Sequence, residues 1–443
     1  MSETSLALPC DLGNGLTLRW GQPEDAEALA AFNVRIHSDN PEQPETWLGD
    51  WTRELMNGRH PTTTASDFTI VTNETGEIVS SLNLISQTWA YEGIEFGLGR
   101  PELVGTDAAY RRRGLVRRQF EAVHAKSAAK GELAQAITGI PWYYRKFGYA
   151  MTLELAGSRG FRWDRPGNFV PAEPERYQLR PAVSADMPAL MRLYGRFVGM
   201  IYCARDAQQW QYELFDRHRA TPYALDVQVI LDETDTVIGY VEYKPWGTSF
   251  VIRELAVLPG HSLREVALCI TRALKVKASA LNTEREQPID QIRFSFGSQS
   301  PMYDALGQQL IDGRPPYAWF MRVPDMPAFL RHIQPVLEQR LADSALAGHT
   351  GRLRLNFYTD FVQLLFEKGQ IVEIAPYIPA SFDSPEDGDI FFPELTFLHL
   401  LFGQRSYEEV RHMWVDCFAT HVAAPILVNV LFPKRPSWVR PLG

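Results

Sequence analysis

An internal repeat constrains this chain more than any other feature. Leu18-Arg19 is followed by Asp25 and then Ala28-Leu29, and Leu179-Arg180 is followed at identical spacing by Asp186 and Ala189-Leu190. Arg19 and Arg180 lie 161 residues apart. Each segment reads as a short strand, a polar turn that opens a helix (Pro23-Glu24-Asp25; Ser184-Ala185-Asp186) and an amphipathic helix. A second echo has nearly the same offset. Tyr144 stands four residues before Gly148 and Tyr303 four before Gly307, so the tyrosines are 159 apart. Two matches in register at one period mean two copies of one fold, at residues 1–165 and 175–323, with a Pro-containing linker over 168–175.

The first copy reads as a mixed α/β sheet. Residues 67–72 and 78–85 are strands around the turn Asn73–Gly76. A third strand leads into Val104-Gly105-Thr106, residues 114–129 form a helix with Leu115, Phe120, Val123 and Ala128 inward, and 134–138 is the next strand. In the second copy, residues 252–257 and 267–280 repeat the strand and helix. Residues 326–443 form a small α+β domain. Its expected parts are an amphipathic helix over 326–341, extendable to 347, a strand over 353–357, a hairpin of 361–366 with 371–374, and helices over 394–402 and 407–414.

The chain's chemistry concentrates between Leu103 and Arg118. An apolar strand end runs into Arg111, Arg112, Arg113 and Gly114, and a helix pattern with Leu115, Val116 and Arg117 follows directly. Free backbone N–H groups, a positive helix terminus and fixed cations then meet at one spot, which suits a diphosphate. Arginines at a helix N-terminus oppose its dipole, so an exposed basic cap without an anion is the less stable reading. The second copy has Arg264 and Glu265 at this place and no such turn, so it reads as a scaffold without the anion site.

Composition excludes more than it assigns. A net charge of −9 argues against nucleic acid and favours cationic small substrates, although solubility alone would account for it. No apolar run reaches membrane-spanning length, and the first ten residues lack a signal-peptide pattern, so a cytoplasmic protein is expected. Cys10, Cys203, Cys269 and Cys417 have no metal or redox spacing and read as inert thiols. His37, His60 and His124 show no ligand spacing, so no metal is expected. Trp47 and Trp51, one helical turn apart, either line an amine-accepting cleft or pack in the core.

The run from Thr106 to Arg117 (TDAAYRRRGLVR), with Tyr144–Tyr149 (YRKFGY) thirty residues after Gly114, resembles the GNAT acetyltransferases. Within them it is most similar to the Eis-like (enhanced intracellular survival) branch. The resemblance covers the whole chain: an active GNAT domain, a degenerate second copy and a C-terminal sterol-carrier-like domain. Val116 departs from the Gly or Ala usual in GNAT proteins at that place. The resemblance implies acetyl-CoA as co-substrate, with backbone amides at Val104 and Thr106 facing the pantetheine arm and thioester. Amides from Arg112 to Arg117 would hold the pyrophosphate.

The same resemblance implies Tyr144 as general acid, with Tyr303 as its structural echo, and the terminal carboxylate, here on Gly443, as general base. Leu442-Gly443 departs from the aromatic ending common in that branch, yet the apolar stretch from Trp438 predicts a docked chain end. Homo-oligomers, commonly hexamers, are also implied. The expected activity is acetyl transfer to a primary amine of a cationic small molecule (polyamine- or aminoglycoside-like) or of lysine, by direct attack in a ternary complex. The rival is a non-catalytic acyl-CoA- or lipid-binding protein, although the apolar C-terminal face reads better as a packing surface against other domains.

Overall fold

The computed structural model describes residues 7–165, 168, 175–219, 221–379 and 387–442. They sort into two compact units. One holds the chain through Leu153 with Met200–Ala204 and Ala318–Ser437; the other holds Glu154–Gly199, Arg205–Tyr317 and the chain end from Trp438.

Strands β1 (Cys10–Gly13) and β2 (Leu16–Trp20) lead into helices α1 (Ala26–His37) and α2 (Trp47–Met56). Strands β3 (Phe68–Thr72), β4 (Ile78–Tyr91) and β5 (Ile94–Thr106) follow, then α3 (Leu115–Ala129), β6 (Ala134–Ile137) and β7 (Ala150–Leu155). The next stretch carries β8 (Arg159–Arg162), β9 (Gln178–Pro181), α4 (Met187–Phe197), β10 (Ile201–Cys203) and α5 (Ala207–Gln211). It continues with β11 (Val227–Leu231), β12 (Val237–Trp246), β13 (Ser249–Val257), α6 (Leu263–Leu281), β14 (Gln291–Phe294), α7 (Pro301–Leu306), β15 (Ile311–Asp312) and β16 (Tyr317–Arg322). The last stretch has α8 (Met326–His332), α9 (Gln334–Ala342), β17 (Gly351–Asn356), β18 (Phe361–Glu367), β19 (Gln370–Pro376), β20 (Ile390–Phe391), α10 (Phe397–Leu401), α11 (Tyr407–Met413) and α12 (Ala423–Leu431).

The first sheet runs β1-β2-β3-β4-β5-β6-β16-β7, with β10 paired to β4. The second runs β15-β8-β14-β13-β12-β11-β9. Both have the same plan: a meander of antiparallel strands, one helix, then a parallel partner. In each sheet, one further strand intervenes before the last. In the first it is β16, from far along the sequence; in the second it is β8, which precedes the rest. Sheet membership thus departs from sequence order by one strand each way, which no local pattern encodes: β8 (Arg-Gly-Phe-Arg) is too short and too charged to carry a strand pattern, and nothing within β16 names its neighbours.

The repeated Leu-Arg/Asp spacing has a concrete cause. Arg19 grips Asp25 with two bonds of 2.7 Å, and Asp25 also accepts from the Gln22 amide at 2.8 Å. Arg180 grips Asp186 at 2.7 and 2.9 Å, and Asp186 accepts from the Val183 amide at 2.8 Å. A strand-end arginine thus fixes the acid that opens the following helix, and the shared spacing gives both copies the same bidentate geometry. One helical turn later Leu29 and Leu190 are both fully buried.

The remaining expectations fare unevenly. The hairpin at 73–76 joins β3 to β4, and β4 extends well past residue 85 to Tyr91. In α3 the buried stripe is Phe120, Val123, His124 and Ser127, whereas Ala128 faces solvent. Polar His124 and Ser127 hold inward places because each has a partner: Tyr149 at 2.8 Å and Gln135 at 2.8 Å. The helix expected over 326–341 is two helices that break at Ile333, and it stops at Ala342. Pro335, in the first turn of α9, lacks the N–H that a continuous helix would need there. The hairpin of β18 and β19 forms as expected in a four-stranded sheet ordered β19-β18-β17-β20. Cys203, Cys269 and Cys417 are buried, and burial pushes the Cys269 and Cys417 thiols up to about 12.

A candidate acyl-CoA site where two strands part

Strands β5 and β6 pair only at Leu98 with Ala134 and Gly99 with Gln135. Beyond Gly99 they separate, while β5 stays on β4 as far as Thr106 opposite Ser80. A bulge on β5, where Leu103 and Val104 stand against Leu82 alone and Leu103 is in the left-handed region (φ 51°), bends this half of the strand. Its end is clamped from the α3 side. Ser80 Oγ donates to Gln119 Oε1 at 2.7 Å and lies 2.8 Å from Thr106 Oγ1, and Gln119 Nε2 reaches the Thr69 carbonyl at 3.2 Å. Parted strands leave main-chain groups facing a gap instead of a neighbour, which is what a linear substrate needs in order to lie between them.

A cavity of about 670 Å³ opens where they have parted, between the end of β5, the start of α3 and the turn after β6. Val104, Thr106 and every residue from Arg111 to Arg117 line it. Gly114 caps α3 with φ 78°, and nothing stands within 4 Å of where its Cβ would be, so the cavity reaches the backbone unobstructed. Arg112 is also left-handed, at φ 63°. Non-glycine residues adopt this conformation uncommonly, and here it falls within the arginine turn. The N-terminus of α3 has no side-chain cap and no acid in its first turn. By contrast, Ser262 Oγ accepts from the Glu265 amide at the start of α6, where Glu265 adds negative charge. One helix end is therefore satisfied from within, and the other leaves its amides for a ligand.

Cations outnumber acids there: the Asp107 carboxyl is paired with Arg35, which holds it below its ordinary value, and Arg111 adds to this. Arg111 Nε donates to the Thr106 carbonyl at 3.3 Å, and Arg113 lies 4.9 Å over the Tyr110 ring and reaches the Ala109 carbonyl at 3.3 Å. None of Arg111, Arg112, Arg113 and Arg117 joins an ion pair among the described residues, whereas the next residue, Arg118, pairs with Glu121 at 2.6 Å. Leu115 turns inward onto Leu16, Leu18, Val71 and Val79, anchoring the turn, and half-buried Val116 completes the floor.

Residues 31–152 match the acetyltransferase (GNAT) domain family. The whole chain also superposes on solved structures. A GCN5-related N-acetyltransferase from Anabaena variabilis gives a TM-score of 0.67 at 14% identity, covering 96% of this chain and 99% of that one. The fold is that of the GNAT acetyltransferases. A GCN5-related N-acetyltransferase from Kribbella flavida gives 0.65 at 17% identity over 98% and 99% of the two chains. Eis1 from Mycobacterium abscessus gives 0.61 at 15% identity over 95% and 98%. No curated protein matches the chain by sequence.

Other residues of this GNAT fold sit at or near the cavity in ways the sequence reading did not assign. Ile36 and His37 from the end of α1, Gly105, Tyr110, Ile140, and Tyr143, Lys146 and Phe147 of the following turn all line it. Tyr144 itself is 3% exposed and packs edge-on against Phe120, Tyr143 and Phe320, with its hydroxyl 3.4 Å from where a Cβ on Gly139 would stand. Its neighbour Tyr143 carries the turn's phenol into the cavity lining; burial pushes Tyr143 up while Arg117 draws it down. Only the adjacent motif residue could have signalled Tyr143, and His37 had no signal at all.

Trp47 and Trp51 stack at 6.3 Å on α2, and Trp51 is buried. Neither belongs to the cavity lining. Gly49, Asp50 and Arg53 from the same helix border a separate groove of about 470 Å³ beside α1. Gly443 lies outside the described residues. The tail before it is docked: Val439 and Leu442 are buried, Trp438 stacks edge-on against Phe197 and Phe296, and Arg440 lies 3.3 Å from Glu242 and 3.4 Å from Glu254. Among the described residues no helix is long and apolar enough to cross a membrane, and no group of His, Cys, Asp or Glu is arranged to hold a metal ion.

Proposed function

We propose that this chain is an acetyl-CoA-dependent N-acetyltransferase that modifies a primary amine of a cationic small molecule or a lysine side chain. The observation that carries this reading is the cavity where β5 and β6 part, in which four arginines that form no ion pair among the described residues surround the uncapped start of α3. The residues present fit a diphosphate. The amides after Gly114 face outward, Gly114 leaves room for phosphate oxygens, and Arg111, Arg112, Arg113 and Arg117 supply positive charge. Amides of Val104 and Thr106 then hold the thioester carbonyl and stabilise the oxyanion that forms when the amine attacks.

Tyr144 donates a proton to the departing thiolate; a thiol near pKa ~8.5 needs only mild help from a phenol near ~10. The family resemblance alone would make the Gly443 carboxylate the proton acceptor, a role for which His37 of the cavity lining is the alternative. Trp47 and Trp51 line no part of this cavity, so the amine side of the cleft is not assigned to them. The second copy, within 175–323, serves as scaffold, and its self-capped α6 supports this. Residues 326–443 form a sterol-carrier-like module, 1–165 the active domain, and the protein works in the cytoplasm as a homo-oligomer. Burial of Tyr144 favours one second reading, a protein that binds acyl-CoA without turning it over.

The test combines acetyl-CoA binding with turnover. Acetyl-CoA should raise the melting temperature, and thiol release should occur with at least one amine of a panel of polyamines, aminoglycosides and lysine derivatives. R112E/R113E should abolish the shift. Binding without thiol release from any amine would favour the second reading, and no shift at all would remove both.

A further inference from the structure

His37 is the last residue of α1, and its ring sits over Gly105, between the two residues assigned to the thioester carbonyl. A Cβ on Gly105 would stand 3.1 Å from His37 Nε2 and 2.8 Å from Ile36 Cγ2, so glycine is what lets the imidazole reach the strand. His37 lines the cavity, and its Nε2 atom is buried with no hydrogen-bond partner among the described residues. The surface beneath it is polar where a core would be apolar. Ser81 stands opposite Gly105 and Asn83 opposite Glu102, so by strand alternation these side chains share the α1 face of the sheet. Ser81 Oγ and both Asn83 side-chain atoms are likewise buried without partners. A buried polar cluster left unsatisfied in this way calls for a function, because each such group costs stability.

We propose that His37 accepts the proton that the amine must lose before it attacks, with Glu102 as the carboxylate that stabilises the resulting imidazolium; this rests on the acetyltransferase reading above. Glu102 interacts with the ring electrostatically and is itself held by Arg100 at 2.6 Å. An amine attacking a carbonyl bound at Val104 and Thr106 must come beside Gly105, where Nε2 already is. Burial, the dominant influence, pushes the His37 ring below its ordinary range, while Glu102 and a bond to the Leu103 backbone oppose it. The free ring is therefore neutral at pH 7 and ready to accept. The other charged or titratable groups at the same cavity are Arg111, Arg112, Arg113 and Arg117 of the turn, Tyr110, and Tyr143 and Lys146 of the later turn.

The proton balance closes. The ammonium gives one proton to His37 Nε2, the amine nitrogen bonds to the carbonyl carbon, and the carbon–sulfur bond breaks. The thiolate takes the Tyr144 proton, the phenolate recovers one from the acylated nitrogen, and His37 releases its proton to water. Glu102 touches no reacting atom and acts as a positioning residue.

The test measures acetyl transfer to spermidine and lysine methyl ester by full-length His37→Gln, Glu102→Gln and a variant lacking Gly443. His37→Gln should lower kcat at neutral pH by about 10²-fold or more, the usual range for losing a general base, with unchanged acetyl-CoA affinity and melting temperature. The defect should shrink as the pH rises toward 10, where a growing share of the amine is already unprotonated. Glu102→Gln should shift the acid limb of the rate profile more than it lowers the plateau. A His37→Gln loss that is equal at every pH would mean a structural role and overturn the proposal. So would full activity of His37→Gln beside a pH-dependent loss on removing Gly443. A wild-type chain that binds acetyl-CoA and acetylates neither amine overturns the proton-acceptor role together with the transfer reading.

Discussion

The two echoed tyrosines show how one residue type serves two ends. Tyr303 spends its hydroxyl on the backbone, donating toward the Phe294 and Gly297 carbonyls at 3.1 and 3.0 Å and accepting from the Phe296 amide at 3.2 Å. Removing it orphans a buried amide, so Y303F should cost about 1–3 kcal/mol in denaturant unfolding. It should leave acetyl-CoA affinity unchanged. Y144F should do the reverse: kcat falls about 10²-fold with little change in Tm or acetyl-CoA affinity. Equal stability losses for the two variants would make Tyr144 a packing residue. His124 is a residue-scale case for pH. Burial holds its ring down to about 3, and Arg322 adds to this. A depressed folded pKa means stability that is complete above the unfolded value near ~6.5 and lost as pH falls toward 3. Thermal melts should therefore weaken below pH 6.5, by at most about 1.4 kcal/mol per pH unit from this group, and H124Q should flatten that slope.

Among the elements, the helix-opening acids give a paired experiment. Asp25 and Asp186 make the same three bonds in two places. D25A and D186A should each cost about 1–3 kcal/mol, and similar values in urea unfolding would establish that the repeat is energetic as well as geometric. This part of the fold was legible because it is local: six residues separate the partners. The arginine turn was legible for the same reason, since Arg111 to Arg117 are contiguous and reach one cavity wherever the helix points. His37 and Tyr143 were not. His37 reaches Gly105 only because α1 packs across a strand nearly seventy residues on, and nothing in the helix pattern distinguishes a cavity-facing position from a core one. Ala128 and the break at Ile333 have another cause: partnered polar groups take the inward places on α3, and Pro335 starts a new helix instead of continuing the old one.

For the molecule as a whole, the feature with most energetic consequence is buried charge. In the second unit Arg205 and Arg440 meet Glu242 and Glu254 with almost no solvent contact, and Arg253, its side chain 21% exposed, joins them through Glu242. Arg205 and Arg253 are held charged by the glutamates, while Arg440 is pushed down first by burial and then by Arg253. Three cations against two anions make Arg440 the surplus member. R440M should therefore be close to neutral in equilibrium unfolding, whereas E254L strands Arg205 and should cost about 3–5 kcal/mol. A large loss from R440M would instead mean that the docked chain end depends on this one side chain.

The sequence alone determined that one fold occurs twice, that only the first copy has an arginine turn, and that this turn suits a diphosphate. Each of these rests on residues close together in the chain, where spacing dictates which groups can meet. Tertiary structure alone decided that β5 and β6 part to open a cavity there, that β8 and β16 join sheets out of sequence order, and that a histidine from the first helix sits over Gly105. Strand pairing and helix packing bring together groups that are remote in sequence, and their partners are chosen by the burial of whole faces, which no single segment specifies.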